Sequence, residues 1–318
     1  MQGTAKPKGL AKIWREVKRP FRKIFVRTPP LTYKSYFDLS CDLRSNMGKI
    51  PKDIDLIVGV PKSGMIPAMM IGLNLNTSTT DLSSFLEGRI YSHGYSRTHN
   101  NQKRSIFDCK KILVVDDSIS SGVSMRRARE QVEQVTQGLD VQLFFMAIYA
   151  TESAKGSVDF YCRIIHHPRI FEWNLMHSWT LNHSCVDIDG VLCTDPTETQ
   201  NDDGERYVEF LEKVSPIFVP SRPIKMLVTN RLEKYRPQTE NWLTKHGIVY
   251  ESLVMLDLPS KKERIRLQAH GTFKADVYKK TQCILFIESD RSQAETIAKI
   301  ARKPVLSVED QKLLSAFD

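Results

Sequence analysis

Cysteine is scarce and scattered. The six thiols, Cys41, Cys109, Cys162, Cys185, Cys193 and Cys283, contain no CxxC pair. That spacing argues against a zinc site or a dense disulfide framework and suits a reducing, cytoplasmic setting. Long apolar runs are missing as well. The longest, residues 141–150, is broken by Gln142 and falls far short of the ~20 residues that cross a bilayer. The opening stretch MQGTAKPKGLAKIW has no apolar core of the secretory type, so export by that route is not expected. Internal repeats and low-complexity segments are absent too. What remains is 318 residues, 41% hydrophobic and 26% charged, enough for two globular domains at roughly 100–200 residues each.

The formal charge of +9 is not spread over the chain. Nine basic side chains against the single acid Glu16 give residues 1–27 a charge of +8, leaving +1 for the other 291. The body is therefore nearly neutral, which argues against nucleic acid as a partner. Within the tail, Leu10, Ile13, Trp14, Val17, Phe21, Ile24 and Phe25 recur at helical steps among Lys and Arg. A basic amphipathic helix with Trp and Phe on its apolar face is the pattern of a segment lying on an anionic membrane. The alternative is a helix packed on its own domain. Residues 10–25 are thus the expected membrane contact, peripheral on the inner face of the cytoplasmic membrane, and Thr28-Pro29-Pro30 reads as a linker.

From Tyr33 onward, short apolar runs alternate with helical stretches. Strands are expected at 55–60, 111–116 and 141–150, and helices at 65–75 and 122–137. After a loop-like stretch (151–179) the alternation resumes, with strands at 185–189, 224–229 and 283–288, each ending in a polar residue. Such alternation implies α/β architecture with two parallel sheets covered on both faces. The expected division is 1–30 tail and linker, 31–179 first α/β domain, 180–318 second α/β domain.

Two strand ends carry chemistry. The first passes Asp116 and Asp117, then Ser118, Ile119, Ser120, Ser121 and Gly122, and opens a helix. Backbone N–H groups at a helix start bind anions. Carboxylates just upstream would repel phosphate, so they suit sugar hydroxyls or a metal. Phosphate beside polyol means a sugar phosphate; an ordinary capped helix is the alternative. This segment resembles the PRPP-binding motif of type I phosphoribosyltransferases, and the resemblance extends over roughly 33–150. It implies that Asp116 and Asp117 hold the ribose hydroxyls and that 118–122 cradles the 5-phosphate. Pro61, Lys62, Ser63 and Gly64 would face the pyrophosphate, with Mg²⁺ bridging. Residues 80–104 are similar to the loop that closes over PRPP, with Arg89 and Arg104 as its candidate cations beside Arg97 and Lys103.

The second strand end reads Asp187-Ile-Asp189-Gly190. A carboxylate can attack phosphorus if a nearby acid protonates the leaving oxygen. Asp189 falls on the same side of the extended chain as Asp187, and both would bind one Mg²⁺. With Thr229-Asn230, Lys274, Glu288 and Asp290 downstream, the order resembles the four motifs of haloacid dehalogenase (HAD) superfamily phosphatases over about 184–300. The resemblance makes Asp187 the nucleophile, Asp189 the general acid/base, and Thr229, Asn230 and Lys274 the phosphate binders. Glu288 would be the remaining metal ligand, with Asp290 second and Lys279 an alternative to Lys274.

Both motif sets, with Phe171-Glu-Trp-Asn174 between them, resemble fused transferase–phosphatase proteins of bacterial surface polysaccharides. That implies transfer of phosphoribose from PRPP to a lipid-linked capsule or O-antigen glycan, then removal of the 5-phosphate to leave β-ribofuranose. Nucleobase salvage coupled to a 5'-nucleotidase is the alternative, and a PRPP-sensing regulator a third reading. Acceptor identity and self-association into a homo-oligomer stay open from sequence.

Overall fold

The computed structural model describes residues 30–91, 105–267 and 269–315. The tail helix expected over 10–25, together with Arg97, Lys103 and Arg104, lies outside the described residues. From Leu31 on, the chain forms one compact unit.

The first sheet is built from β2 (Leu56–Gly59), β3 (Ser78–Asp81), β4 (Lys111–Ile119), β5 (Gln142–Ala150) and β6 (Phe160–Ile164), after β1 (Thr32–Lys34) and α1 (Tyr36–Asn46). Their order is β3-β2-β4-β5-β6, and every pairing is parallel. Neighbouring residues feed opposite faces. Leu56, Val58, Ile112 and Val114 enter one apolar cluster, while Ile57, Leu113 and Val115 enter another. Two buried faces explain why these strands read as unbroken apolar runs. The helices α2 (Met65–Leu75), α3 (Leu82–Leu86) and α4 (Val123–Val135) follow β2, β3 and β4. Ser35 starts α1 with a reciprocal cap, its hydroxyl accepting from the Asp38 amide and the Asp38 carboxylate accepting from its own.

The second sheet follows the same logic. It holds β8 (Ser184–Val186), β9 (Met226–Leu232), β10 (Leu253–Leu256), β11 (Leu285–Glu288), β12 (Val305–Ser307) and β13 (Lys312–Leu314), with β7 (Arg169–Phe171) preceding it. The order is β10-β9-β8-β11-β12-β13, parallel except for the β12–β13 pair. The helices here are α5 (Glu205–Lys213), α6 (Arg236–Lys245), α7 (Lys261–Arg266), α8 (Ala269–Lys280) and α9 (Arg291–Ala301). Two α/β sheets, one wholly parallel and one parallel but for its β12–β13 edge, are therefore present, as the alternation implied. Among the described residues no helix is long and apolar enough to cross a membrane.

Two expectations need correction. Residues 151–179 are not a plain loop: β6 adds an edge strand to β5, and β7 pairs with β1 in a separate two-stranded sheet. A five-residue edge strand with a single buried residue, and a three-residue strand with a remote partner, leave no readable period. The strand expected at 111–116 runs on to Ile119, because β5 continues alongside it as far as Ala150. Ser118 and Ile119 thus belong to the sheet rather than to the loop.

Candidate functional site

Strand order locates two crevices. In the first sheet the chain steps one way from β2 to β3 and the other way from β4 through β5 to β6. The switch point therefore lies between β2 and β4. In the second sheet it lies between β8 and β11. Ligands of open α/β sheets bind beyond the carboxyl ends of the strands at such points. Both sets of acids singled out from sequence stand there.

At the first switch point, 61–64 leaves β2 beside Asp116 and Asp117 on β4. The Pro61–Lys62 peptide is cis. Gly64 must be glycine for space: a Cβ would lie 2.5 Å from the Val60 carbonyl oxygen and 2.7 Å from that of Val115. This close approach lets Ser63 Oγ donate to Asp117 Oδ1 at 2.6 Å. Trp173 Nε1 donates to the other oxygen at 2.8 Å, so Asp117 is fixed from both sides. Trp173 belongs to an aromatic group with Tyr36, Tyr149 and Phe171. Asp116 is buried, and its Oδ1 accepts from the Asp117 amide at 2.9 Å.

Beyond β4, Ser120, Ser121 and Gly122 make the turn that opens α4. Ser120 Oγ lies 2.9 Å from His167 Nε2. Arg169 Nη2 donates to the Ile119 carbonyl at 3.0 Å, and its buried Nη1 has no hydrogen-bond partner. The Ile119 side chain packs into the core, and its carbonyl accepts from Arg169. Lys62 is exposed. Arg89 is exposed and ion-paired with Glu87, and no hydrogen bond or ion pair among the described residues joins it to the two acids.

Burial, then the neighbouring Asp117 charge, pushes the Asp116 carboxyl up to about 8. An unfolded Asp titrates near ~4, so between roughly pH 4 and 8 the folded chain holds a proton that the unfolded chain has lost. The stability tied to neutral Asp116 is complete below that window and is lost as pH rises through about 8. Asp116→Asn cannot ionise. Its melting temperature should gain on wild type from pH 5 to pH 8 and then level off. A difference independent of pH would show that Asp116 is already ionised in the folded state.

At the second switch point Lys274 Nζ bridges Asp187 Oδ2 at 2.6 Å and Glu288 Oε2 at 2.7 Å, with Gln293 Oε1 at 3.2 Å. All three charged groups are buried. Burial drives the Asp187 carboxyl well above its usual range, and Glu288 and Asp189 add to this while Lys274 opposes it. Lys274, which burial alone would depress, is held above its ordinary value by Asp187 and Glu288. The chain turns away from Asp187 at Gly190 (φ +74°), where a Cβ would come within 2.4 Å of Ser289 Cβ.

Asp187, Asp189, Thr229, Asn230, Lys274 and Asp290 line one cavity of about 280 Å³. Glu288 is fully buried and anchors Lys274; Asp290 is the one of the pair on the cavity wall. Asp189 does not turn its carboxylate to a shared metal as expected. The buried Arg231 takes both oxygens, with Nε at 3.0 Å from Oδ2 and Nη2 at 2.7 Å from Oδ1. Among the described residues no three His, Cys, Asp or Glu side chains converge as a metal-ion cage.

Several contributors went unassigned in the sequence. Arg231 lies two residues past the expected strand end at Thr229, and only because β9 runs on to Leu232 does it enter the sheet. Asp195, Arg264, His270 and Gln293, on the cavity wall, carried no signal, because loops and helix starts bring them in.

No family model matches the chain, and no curated protein does. Among solved structures it is similar to a purine phosphoribosyltransferase from Pyrococcus horikoshii Ot3, with 15% identity, 45% of this chain and 93% of that one covered, and TM-score 0.32. It is likewise similar to the xanthine-guanine-hypoxanthine phosphoribosyltransferase of Helicobacter pylori (17%, 45% and 92%, TM-score 0.34). A third is orotate phosphoribosyltransferase from Aeropyrum pernix (16%, 41% and 71%, TM-score 0.28).

Proposed function

We propose that the chain is a bifunctional enzyme. It transfers 5-phosphoribose from PRPP to an acceptor glycan, lipid-linked as capsule or O-antigen precursors are, and then removes the 5-phosphate to leave a β-ribofuranosyl residue. The observation that carries this reading is the coincidence of both acid sets with the two switch points of one compact unit.

In the transferase site Asp116 and Asp117 hold the ribose hydroxyls, and Ser63 and Trp173 keep Asp117 in place before substrate arrives. Ser120, Ser121 and Gly122 offer donors to the 5-phosphate, and Lys62 with the Ser63 and Gly64 amides faces the pyrophosphate. Positioning and charge neutralisation supply the rate, since an oxocarbenium-like ribose needs no nucleophile from the protein.

In the phosphatase site an Asp187 oxygen attacks phosphorus, the bond to the ribose 5-oxygen breaks, and Asp189, in its protonated form, passes its proton to that oxygen and regains one from the water of the second step. Water then releases phosphate from Asp187. Lys274 and Thr229 bind the phosphoryl oxygens, and Arg231 sets the direction of Asp189. Hard carboxylate oxygens on the cavity wall suit Mg²⁺; Asp187 and Asp290 would hold it, and it would supply Lewis-acid polarisation of the phosphoryl group.

Nucleobase salvage is the second reading. It is favoured by the Tyr36 ring, half exposed and 5.6 Å from Trp173, which offers a surface for a planar acceptor next to Asp117. Labelled PRPP offered with nucleobases and with a lipid-linked glycan pool separates the two. Label in the glycan supports the proposal, and label in a nucleoside overturns it. In the same assay Asp117→Asn should weaken PRPP use by about 1.5–3 kcal/mol, the cost of losing a charged hydrogen-bond acceptor. Full PRPP turnover by that variant would refute the ribose-binding assignment.

A further inference from the structure

The phosphatase cavity of about 280 Å³ has room for a phosphorylated ribose and little beyond it. Asp195 in its wall also lines a second, larger cavity of about 830 Å³. The second cavity lies between the loop carrying Thr197, Thr199 and Gln200 and the face of α5 carrying Arg206 and Lys213, with Ser215 at its edge. A volume near the upper end of the range for ligand pockets exceeds what a phosphate ester of a single ribose requires.

Its lining states what would fit. Hydroxyls, an amide and charged side chains share the lining; Thr197 Oγ1 donates to Gln200 Oε1 at 3.0 Å and lies 3.1 Å from Thr199 Oγ1, which holds the loop in shape. Gln200 Nε2 and Ser215 Oγ make no hydrogen bond among the described residues, and the Arg206 charge acts on Asp202. Lys213 pairs with Glu209 at 2.7 Å in an exposed position, a contact weak enough to exchange for a ligand. The lone aromatic in the lining, Phe210, is 5% exposed, so there is no ring face on which a nucleobase could stack.

We infer that this cavity binds the hydroxyl-rich remainder of the phosphoester, two or more neutral sugar units bearing the terminal ribose 5-phosphate. The inference rests on the phosphatase reading of the Asp187 site and deepens it: the larger cavity sets the substrate class, while the smaller one performs the chemistry.

The test compares ribose 5-phosphate with synthetic trisaccharides of gluco, galacto and manno configuration ending in β-ribofuranose 5-phosphate. At least one trisaccharide should exceed ribose 5-phosphate about tenfold in kcat/KM. Ser215→Trp, or Thr199→Trp should the first fail to fold, should erase that advantage through KM and leave ribose 5-phosphate hydrolysis as it was. Titration of the dephosphorylated trisaccharides onto wild type and variant supplies a readout that needs no turnover. Binding that the Trp variants abolish supports the cavity even if the esters are not hydrolysed, an outcome that would strike only the phosphatase reading. Equal use of all esters with no trisaccharide binding overturns the inference. So does a preference for a nucleoside 5'-monophosphate that the Trp variants remove.

Discussion

Asp187→Asn should reduce phosphate release by at least about 1000-fold while PRPP consumption continues. The amide is a poor nucleophile towards phosphorus, yet nearly isosteric, so the Lys274–Glu288 contact keeps its geometry. Transfer should precede dephosphorylation, because unphosphorylated ribose would lose the anchor at Ser120, Ser121 and Gly122. The variant should therefore accumulate an acceptor about 80 Da heavier than the wild-type product, the mass of one retained phosphoryl group. Adding wild-type enzyme should convert the heavy product to the light one. Mass spectrometry of the acceptor decides between outcomes. A variant that makes the unphosphorylated riboside directly would end the two-step reading.

Arg231→Met should produce the largest loss of stability. Arg231 is fully buried and takes both oxygens of Asp189, so its removal leaves a partly buried carboxylate on the cavity wall without its partner. Breaking one side of a fully buried pair costs about 3–5 kcal/mol, much of it the penalty on the abandoned charge; because solvent reaches Asp189, the loss should sit at or below the lower end of that range. The double variant Arg231→Met with Asp189→Asn should recover a large part of that loss, since no charge is then left unpaired. Urea unfolding of the four forms closes the cycle. A single variant within 1 kcal/mol of wild type, roughly the value of an exposed pair, would mean that Asp189 finds water or another partner when Arg231 is gone. Phosphate ester hydrolysis should fall in the single variant as well, because Asp189 loses the contact that aims it.

How much could be read in advance differed between the two halves of each site. Asp116, Asp117, Asp187 and Asp189 were legible because each follows an apolar run long enough to be a strand and precedes residues that turn the chain. Of their partners, Lys274 and Ser63 were legible from the same motifs, and others were not. Trp173 reaches Asp117 from a segment after β7, and Gln293 reaches Lys274 from the first turn of α9. Gln293 differs in neither type nor period from an ordinary helix residue, and Trp173, though it falls within Phe171-Glu-Trp-Asn174, gives no sign in sequence of its contact with Asp117. Glu288 and Asp290 show the same limit. Both follow an apolar strand and both are acids, but the backbone turns between them, leaving Glu288 inside with Lys274 and Asp290 on the cavity wall.

By itself the sequence determined the α/β class, the strands that carry the acids, and the concentration of positive charge in residues 1–27. These follow from local hydrophobic period, turn chemistry and charge counting, which need only near neighbours along the chain. Tertiary structure alone decided the strand order and hence the two switch points. It also decided the pairing of Asp189 with Arg231, the burial that raises Asp116 and Asp187, and the cavity beside Asp195. Each of those depends on groups brought together from distant parts of the chain, where desolvation and close packing, rather than local propensity, set the energy.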